Sequence, residues 1–129
     1  MIYKDDELLA ADYNRFPNGV NDFEHRWLDD KYIFTEHAER NAIYKATRLG
    51  HATLGATMYA PYACCHDCAR GIIQSGIKTL VHYPFEIPER WQRSIKLGSI
   101  MLREALVEVI ELKPDVGTTI RFNGVIMDI

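Results

Sequence analysis

The run Ala56-Thr57-Met58-Tyr59-Ala60, the loop Pro61-Tyr62-Ala63-Cys64, then Cys65-His66-Asp67-Cys68-Ala69-Arg70-Gly71-Ile72-Ile73-Gln74-Ser75-Gly76 and Ile77-Lys78-Thr79-Leu80-Val81-His82-Tyr83 decides the fold. Its first five residues are an apolar run of strand length. From Cys65 to Ser75, Ala69, Ile72 and Ile73 recur at helical spacing and Gly76 supplies the stop. Ile77 to Tyr83 is a second strand. Strand, helix and strand in succession predict an α/β layered fold.

The pattern extends on both sides. Upstream, Thr35 and Glu36 lead into a helix with Ala38, Ala42, Ile43, Ala46 and Leu49 on one stripe, stopped by Gly50. At the start, Met1-Ile2-Tyr3 and Leu8-Leu9-Ala10-Ala11 flank the turn Lys4-Asp5-Asp6-Glu7 as a short hairpin, closed by the loop Asn14 to Gly19. From there to Phe34 the chain is polar and aromatic without a period. Downstream, a helix runs from about Glu89 to Ala105. Val107 to Leu112 fits a helical stripe or a strand, and its β-branched residues favour the strand. The tail from Asp115 suits a hairpin around Asn123-Gly124. With 129 residues and no repeat or Gly/Ser linker, one domain spans 1–129, with 115–129 as a terminal extension.

Composition narrows the function. Hydrophobic residues at 47% and charged ones at 26% suit a soluble core and exclude a disordered chain. Fifteen Lys and Arg against 18 Asp and Glu give a charge of -3, which disfavours a long nucleic acid as partner. No run approaches the roughly 18 apolar residues of a membrane span, so a cytoplasmic protein is expected. Its cysteines, Cys64, Cys65 and Cys68, crowd into five positions, a pattern of metal or redox chemistry in a reducing compartment.

His37-Ala38-Glu39 opens one helix and Cys65-His66-Asp67-Cys68 the next. A catalytic zinc typically takes three Cys and His ligands and keeps one position open. Cys-x-x-Cys in a first helical turn lets two thiolates converge on one ion, and a helix N-terminus favours their negative charge. His37, Cys65 and Cys68 are the candidate metal ligands, and Glu39 is the candidate catalytic carboxylate, able to take a proton from water and hand it to a leaving amine. His-x-Glu alone is a common solvated helix cap, and Cys-x-x-Cys alone is equally redox or structural. In this order, with a strand between them, they match the zinc nucleobase deaminases.

The chain therefore resembles the cytidine and deoxycytidylate deaminase superfamily, and most closely its deoxycytidylate branch. His37-Ala38-Glu39-Arg40-Asn41-Ala42-Ile43 matches His-Ala-Glu-x-Asn-Ala-Ile, and Gly55 to Tyr59, Cys65 to Ala69 and Ile72 to Lys78 are similar to the strand, metal helix and next strand. Tyr13-Asn14 with Phe16-Pro17-Asn18-Gly19 is similar to the family's substrate loop. The match runs from the first residues to about Ile110. It implies a three-layer cytidine-deaminase-like fold, with a mixed sheet of about five strands flanked by helices. It also implies a zinc-dependent hydrolase that converts dCMP to dUMP and ammonia as a homo-oligomer. Asn14, Tyr62 and Ala63 are then substrate-binding, and Arg15, Arg26 and Lys31 are candidates for the 5′-phosphate, Arg15 foremost.

The chain departs from the family in three places. Cys64 stands where the family has proline, and the family spacing makes Cys65 the ligand and Cys64 a spare thiol. Asp12 and Arg15 replace the glycines of the substrate loop, and the chain starts at the first strand where relatives begin with a helix. The competing readings are a deaminase of another amino-heterocycle (cytidine, a tRNA adenosine), an inactive deaminase-like zinc domain and a redox thiol protein. His25, His51 and His82 are read as surface or satisfied-core residues, and Trp27 and Trp91 as packing residues.

Overall fold

The structure, a computed structural model, describes residues 1–113, 117–122 and 125–128. Strands β1 (Ile2–Lys4) and β2 (Glu7–Ala10) form the expected hairpin. Asp5 and Asp6 both take positive φ, 50° and 63°, the left-handed pair that a two-residue hairpin turn of the right twist requires and that Asp tolerates. Two short helices follow, α1 (Glu24–Leu28) and α2 (Lys31–Phe34), then α3 (Ala38–Arg48), β3 (Thr57–Tyr59), α4 (His66–Gln74), β4 (Thr79–His82), α5 (Glu89–Glu104) and β5 (Glu108–Glu111).

The main sheet has five strands in the order β2-β1-β3-β4-β5. It is mixed: β1 is antiparallel to both neighbours, while β3, β4 and β5 run parallel. The α/β sheet flanked by helices is thus as expected, and Val107 to Leu112 resolves in favour of a strand. Strands β6 (Thr119–Phe122) and β7 (Val125–Asp128) pair antiparallel as a separate two-stranded sheet. The turn expected at Asn123-Gly124 lies outside the described residues.

Register explains the core. Ile2, Met58 and Leu80 stand opposite one another on one face and are at most 1% exposed. They join one cluster with Ala42 and Ile43 of α3, Cys68, Ala69 and Ile72 of α4 and Leu102 of α5. Burying an aliphatic side chain of this size contributes about 1.5–3 kcal/mol, so this helix-covered face holds the sheet together. The opposite face is more open: the Tyr3 and Tyr59 rings meet edge-on at 5.8 Å, and Tyr59 is 41% and Ile110 37% exposed.

The two chemistry-bearing helices end alike. Gly50 and Gly76 have φ of 77° and 73°, and the next residue's N–H reaches back to a carbonyl, His51 to Ala46 at 3.0 Å and Ile77 to Ile72 at 3.3 Å. Leu49, expected on the apolar stripe of α3, falls at this cap and is exposed. The aperiodic stretch before α3 is anchored by Phe16, which is 5% exposed, stacks on Trp27 at 4.5 Å and meets Phe34 at 5.5 Å.

Candidate active site

The N-termini of α3 and α4 converge. His37 and Cys65 are their N-cap residues, both in extended backbone and neither turning its side chain onto its own helix. The freed N–H groups are satisfied from other elements. Asn14 Oδ1 accepts the Ala38 N–H at 2.7 Å, and Ser94 Oγ on α5 accepts the His66 N–H at 3.2 Å. Asn41, buried in α3, donates to the carbonyls of Tyr13 at 2.9 Å and Glu36 at 3.1 Å, tying the loop before α1 to the helix.

The side chains of His37 and Cys65 are thereby free to face Cys68. The ligand atoms of His37, Cys65 and Cys68 lie within 4.8 Å of one another, and His37 Nδ1 is 3.5 Å from each sulfur. Tetrahedral zinc with bonds of about 2.1 Å to nitrogen and 2.3 Å to sulfur sets N···S edges near 3.6 Å. The three residues therefore fit a zinc ion and leave a fourth position open. Cys64 is outside this group. It is buried in the core, where desolvation pushes its thiol far above the ordinary range. Cys65 is driven the other way, down to about 3, by hydrogen bonding from Cys68 and then from His37. The Cys65 contact raises His37 in turn.

Glu39 lies in the first turn of α3 and lines the same cavity as His37 and Cys65. Burial raises its carboxyl above the ordinary carboxylate value, a shift that makes it a better proton acceptor once ionised. The cavity, of about 1130 Å³, opens at the carboxyl ends of the parallel strands β3 and β4, where α/β sheets bind ligands. Asn14, Tyr62 and Ala63 line it.

Arg15 does not. Asp12 takes its Nε and Nη2 at 2.8 and 2.9 Å, Asn18 takes Nη1 at 2.6 Å, and the residue is absent from the cavity wall. Arg26 is likewise spent on the Asn21 carbonyl at 2.8 Å and on the Phe34 ring at 4.5 Å. Of the three phosphate candidates, only Lys31 lines the cavity. Arg90 and Trp91, from the first turn of α5, join it there. Lys31 Nζ and the Arg90 guanidinium both lie over the Tyr32 ring, at 5.9 and 5.8 Å, and neither has an ion-pair partner among the described residues. Trp91 stands edge-on to His37 at 5.9 Å. Sequence spacing could not place Arg90, Trp91 or His82 at the site, because α5 and β4 reach it only through the tertiary fold.

Residues 1–83 match the family model described as the cytidine and deoxycytidylate deaminase zinc-binding region. The chain is 33% identical over 88 residues to a deoxycytidylate deaminase of Pongo abelii, covering 63% of this chain and 48% of that protein. It is 32% identical over 120 residues to an uncharacterized deaminase in the luxG 3′ region of Aliivibrio fischeri, covering 90% and 79%. Among solved structures, the dCMP deaminase of cyanophage S-TIM5 in complex with dCMP and dUMP superposes with a TM-score of 0.68 at 25% identity, over 86% of this chain and 77% of that one. The chain spans about half the length of the Pongo abelii relative, 48%. Among the described residues no helix is long and apolar enough to cross a membrane. Because the matched region contains both helix starts and the donor triangle they bring together, the chain belongs to the zinc-binding cytidine and deoxycytidylate deaminase family.

Proposed function

We propose that the chain catalyses the hydrolytic deamination of a cytosine nucleotide, dCMP to dUMP and ammonia. The observation that carries this reading is the donor triangle His37, Cys65 and Cys68 beside the buried carboxyl of Glu39 in one cavity. Zinc, when bound, supplies a Lewis acid that makes water nucleophilic near neutral pH. His37, Cys65 and Cys68 would hold it, and their closed side leaves the cavity as the substrate's approach.

Glu39 takes the proton that water gives up on attacking C4 and delivers it to N3; it then takes the proton of the new C4 hydroxyl and passes it to the exocyclic amine, so that ammonia leaves as the carbonyl of uracil forms. Asn14, fixed by the Ala38 N–H through its oxygen, has its amide donors left for substrate, and the Tyr62-Ala63 backbone supplies further wall. Lys31 and Arg90, over the Tyr32 ring and without an ion-pair partner among the described residues, are the cations suited to the phosphate, in place of Arg15. The likeness to a solved structure holding dCMP and dUMP supports a nucleotide over a free nucleoside. The open sheet face around Tyr59 and Ile110 supports a homo-oligomer, and the reading places the protein in the cytoplasm.

The test is ammonia release by zinc-loaded protein from dCMP, CMP, deoxycytidine, cytidine and cytosine in parallel, with Glu39→Gln as the blank. Turnover of dCMP ahead of deoxycytidine is expected. Silence on every cytosine compound from a protein holding one zinc per chain would overturn the assignment.

A further inference from the structure

His82 closes β4 at the end of the sheet where the cavity opens. It is 8% exposed and lines the cavity, so its ring is buried in protein on most sides and meets the cavity on the remainder. Its Nδ1 lies 2.9 Å from the Tyr83 carbonyl oxygen. A carbonyl can only accept, so Nδ1 carries the proton in this bond, and in the neutral ring Nε2 is left as a lone-pair acceptor. Among the described residues, Nε2 has no hydrogen-bond partner. Nε2 is not among the fully buried unpaired atoms, so it keeps accessible surface and a ligand donor can reach it from the cavity that His82 lines.

The chemistry of the substrate then selects the group. An acceptor nitrogen repels the phosphate oxygens and the O2 carbonyl of cytosine, which are acceptors themselves. A cytosine deoxynucleotide offers two donors, the exocyclic amine and the 3′-hydroxyl of the sugar. The amine is the leaving group and must face Glu39. We propose that His82 is a specificity-determining residue whose Nε2 accepts a hydrogen bond from the sugar 3′-hydroxyl of the bound nucleotide. The assignment rests on the deaminase reading above and adds to it a residue and the group that it recognises.

The experiment compares dCMP with its 2′,3′-dideoxy analogue, which lacks that hydroxyl, in native protein and in His82→Phe and His82→Gln, all zinc-loaded and checked for zinc content and secondary structure. Native protein is expected to prefer dCMP by about 10-fold or more in kcat/KM, since a site built to bind a hydroxyl rejects the analogue without it. His82→Phe should lower kcat/KM on dCMP by a similar factor and leave the dideoxy analogue within about twofold, whereas His82→Gln, which keeps an acceptor, should recover part of the preference. Equal losses on both substrates, or no preference in the native protein, would overturn the role of His82 while leaving the deaminase reading intact. Absence of dCMP turnover in the native protein would overturn the deaminase reading itself and the His82 assignment with it.

Discussion

Arg40 donates through Nη1 to the sulfur of Cys68 at 3.5 Å, from a guanidinium that Glu36 holds by its Nε at 2.5 Å. Arg40 is the unassigned position of His-Ala-Glu-x-Asn, one turn below His37. A cation that bonds a thiolate stabilises its charge and fixes the direction of its lone pairs. Arg40→Gln should therefore weaken zinc binding by about 10- to 100-fold, the usual cost of losing a group that orients a metal ligand. Competition with a chelator measures it, and unchanged affinity would show that the contact carries no energy.

Glu39→Gln is nearly isosteric and removes only the capacity to hold and release a proton. It should retain zinc at the native stoichiometry and lose about 10²- to 10⁴-fold in turnover, the range ascribed to a positioned general acid-base. Metal analysis and ammonia release on the same preparation separate the two effects. Cys65→Ala and Cys68→Ala should do the reverse and lose the metal, whereas Cys64→Ala, outside the donor group, should keep it.

The α4–α5 packing gives a sharper test of how the Cys65 loop is held. A Cβ on Gly98 of α5 would stand 3.2 Å from the Cys64 carbonyl oxygen and 3.3 Å from the Cys65 carbonyl carbon and oxygen, all backbone. On Gly71 it would meet Arg40 Cγ at 3.4 Å and Ile43 Cδ1 at 3.6 Å, which are side chains in ordinary contact. Both are helical, so alanine gains about 0.8–1.0 kcal/mol of intrinsic propensity at each. At Gly98 overpacking costs about 1–3 kcal/mol and displaces the loop that carries a metal ligand. Gly98→Ala should lower both the melting temperature and zinc affinity, and Gly71→Ala should lower neither. Equal behaviour of the two variants would remove the argument.

The sequence made the helices and the donors legible for a definable reason. His37, Cys65 and Cys68 sit at helix starts, so their spacing is local even though their meeting is not, and Gly50 and Gly76 punctuate the pattern with a conformation few other residues adopt. Helices α1 and α2 were not legible, because neither buries a residue and so neither has an apolar period. The far wall was equally hidden. Arg90 and Trp91 reach the cavity because Pro84 to Pro88 returns the chain across it, and His82 because β4 lies between β3 and β5. A lone histidine or tryptophan carries no spacing from which such a location can be read.

Adjacency to Asn14 suggested Arg15 for the substrate, whereas in the structure Asp12, three residues back, binds it with both oxygens. That bond holds the Asp12 carboxyl below its ordinary value of 3.8, mainly through the Arg15 hydrogen bonds. Between the folded and unfolded values the unfolded chain binds the extra proton, so stability rises with pH there. The contribution is complete above about pH 4, close to the unfolded value, and is lost as the pH falls through the lower, folded one. Asp12→Asn should melt below the native protein at pH 7, and the gap should shrink as the pH falls below about 4. Thermal unfolding across that range tests it, and a gap equal at pH 3 and pH 7 would exclude the ion pair as its source. Arg15→Gln should reproduce the same loss of stability yet leave the preference for dCMP over deoxycytidine unchanged, while Arg90→Gln should reduce that preference and spare the melting temperature. If Arg15→Gln instead abolished the nucleotide preference, the phosphate would belong to Arg15 after all.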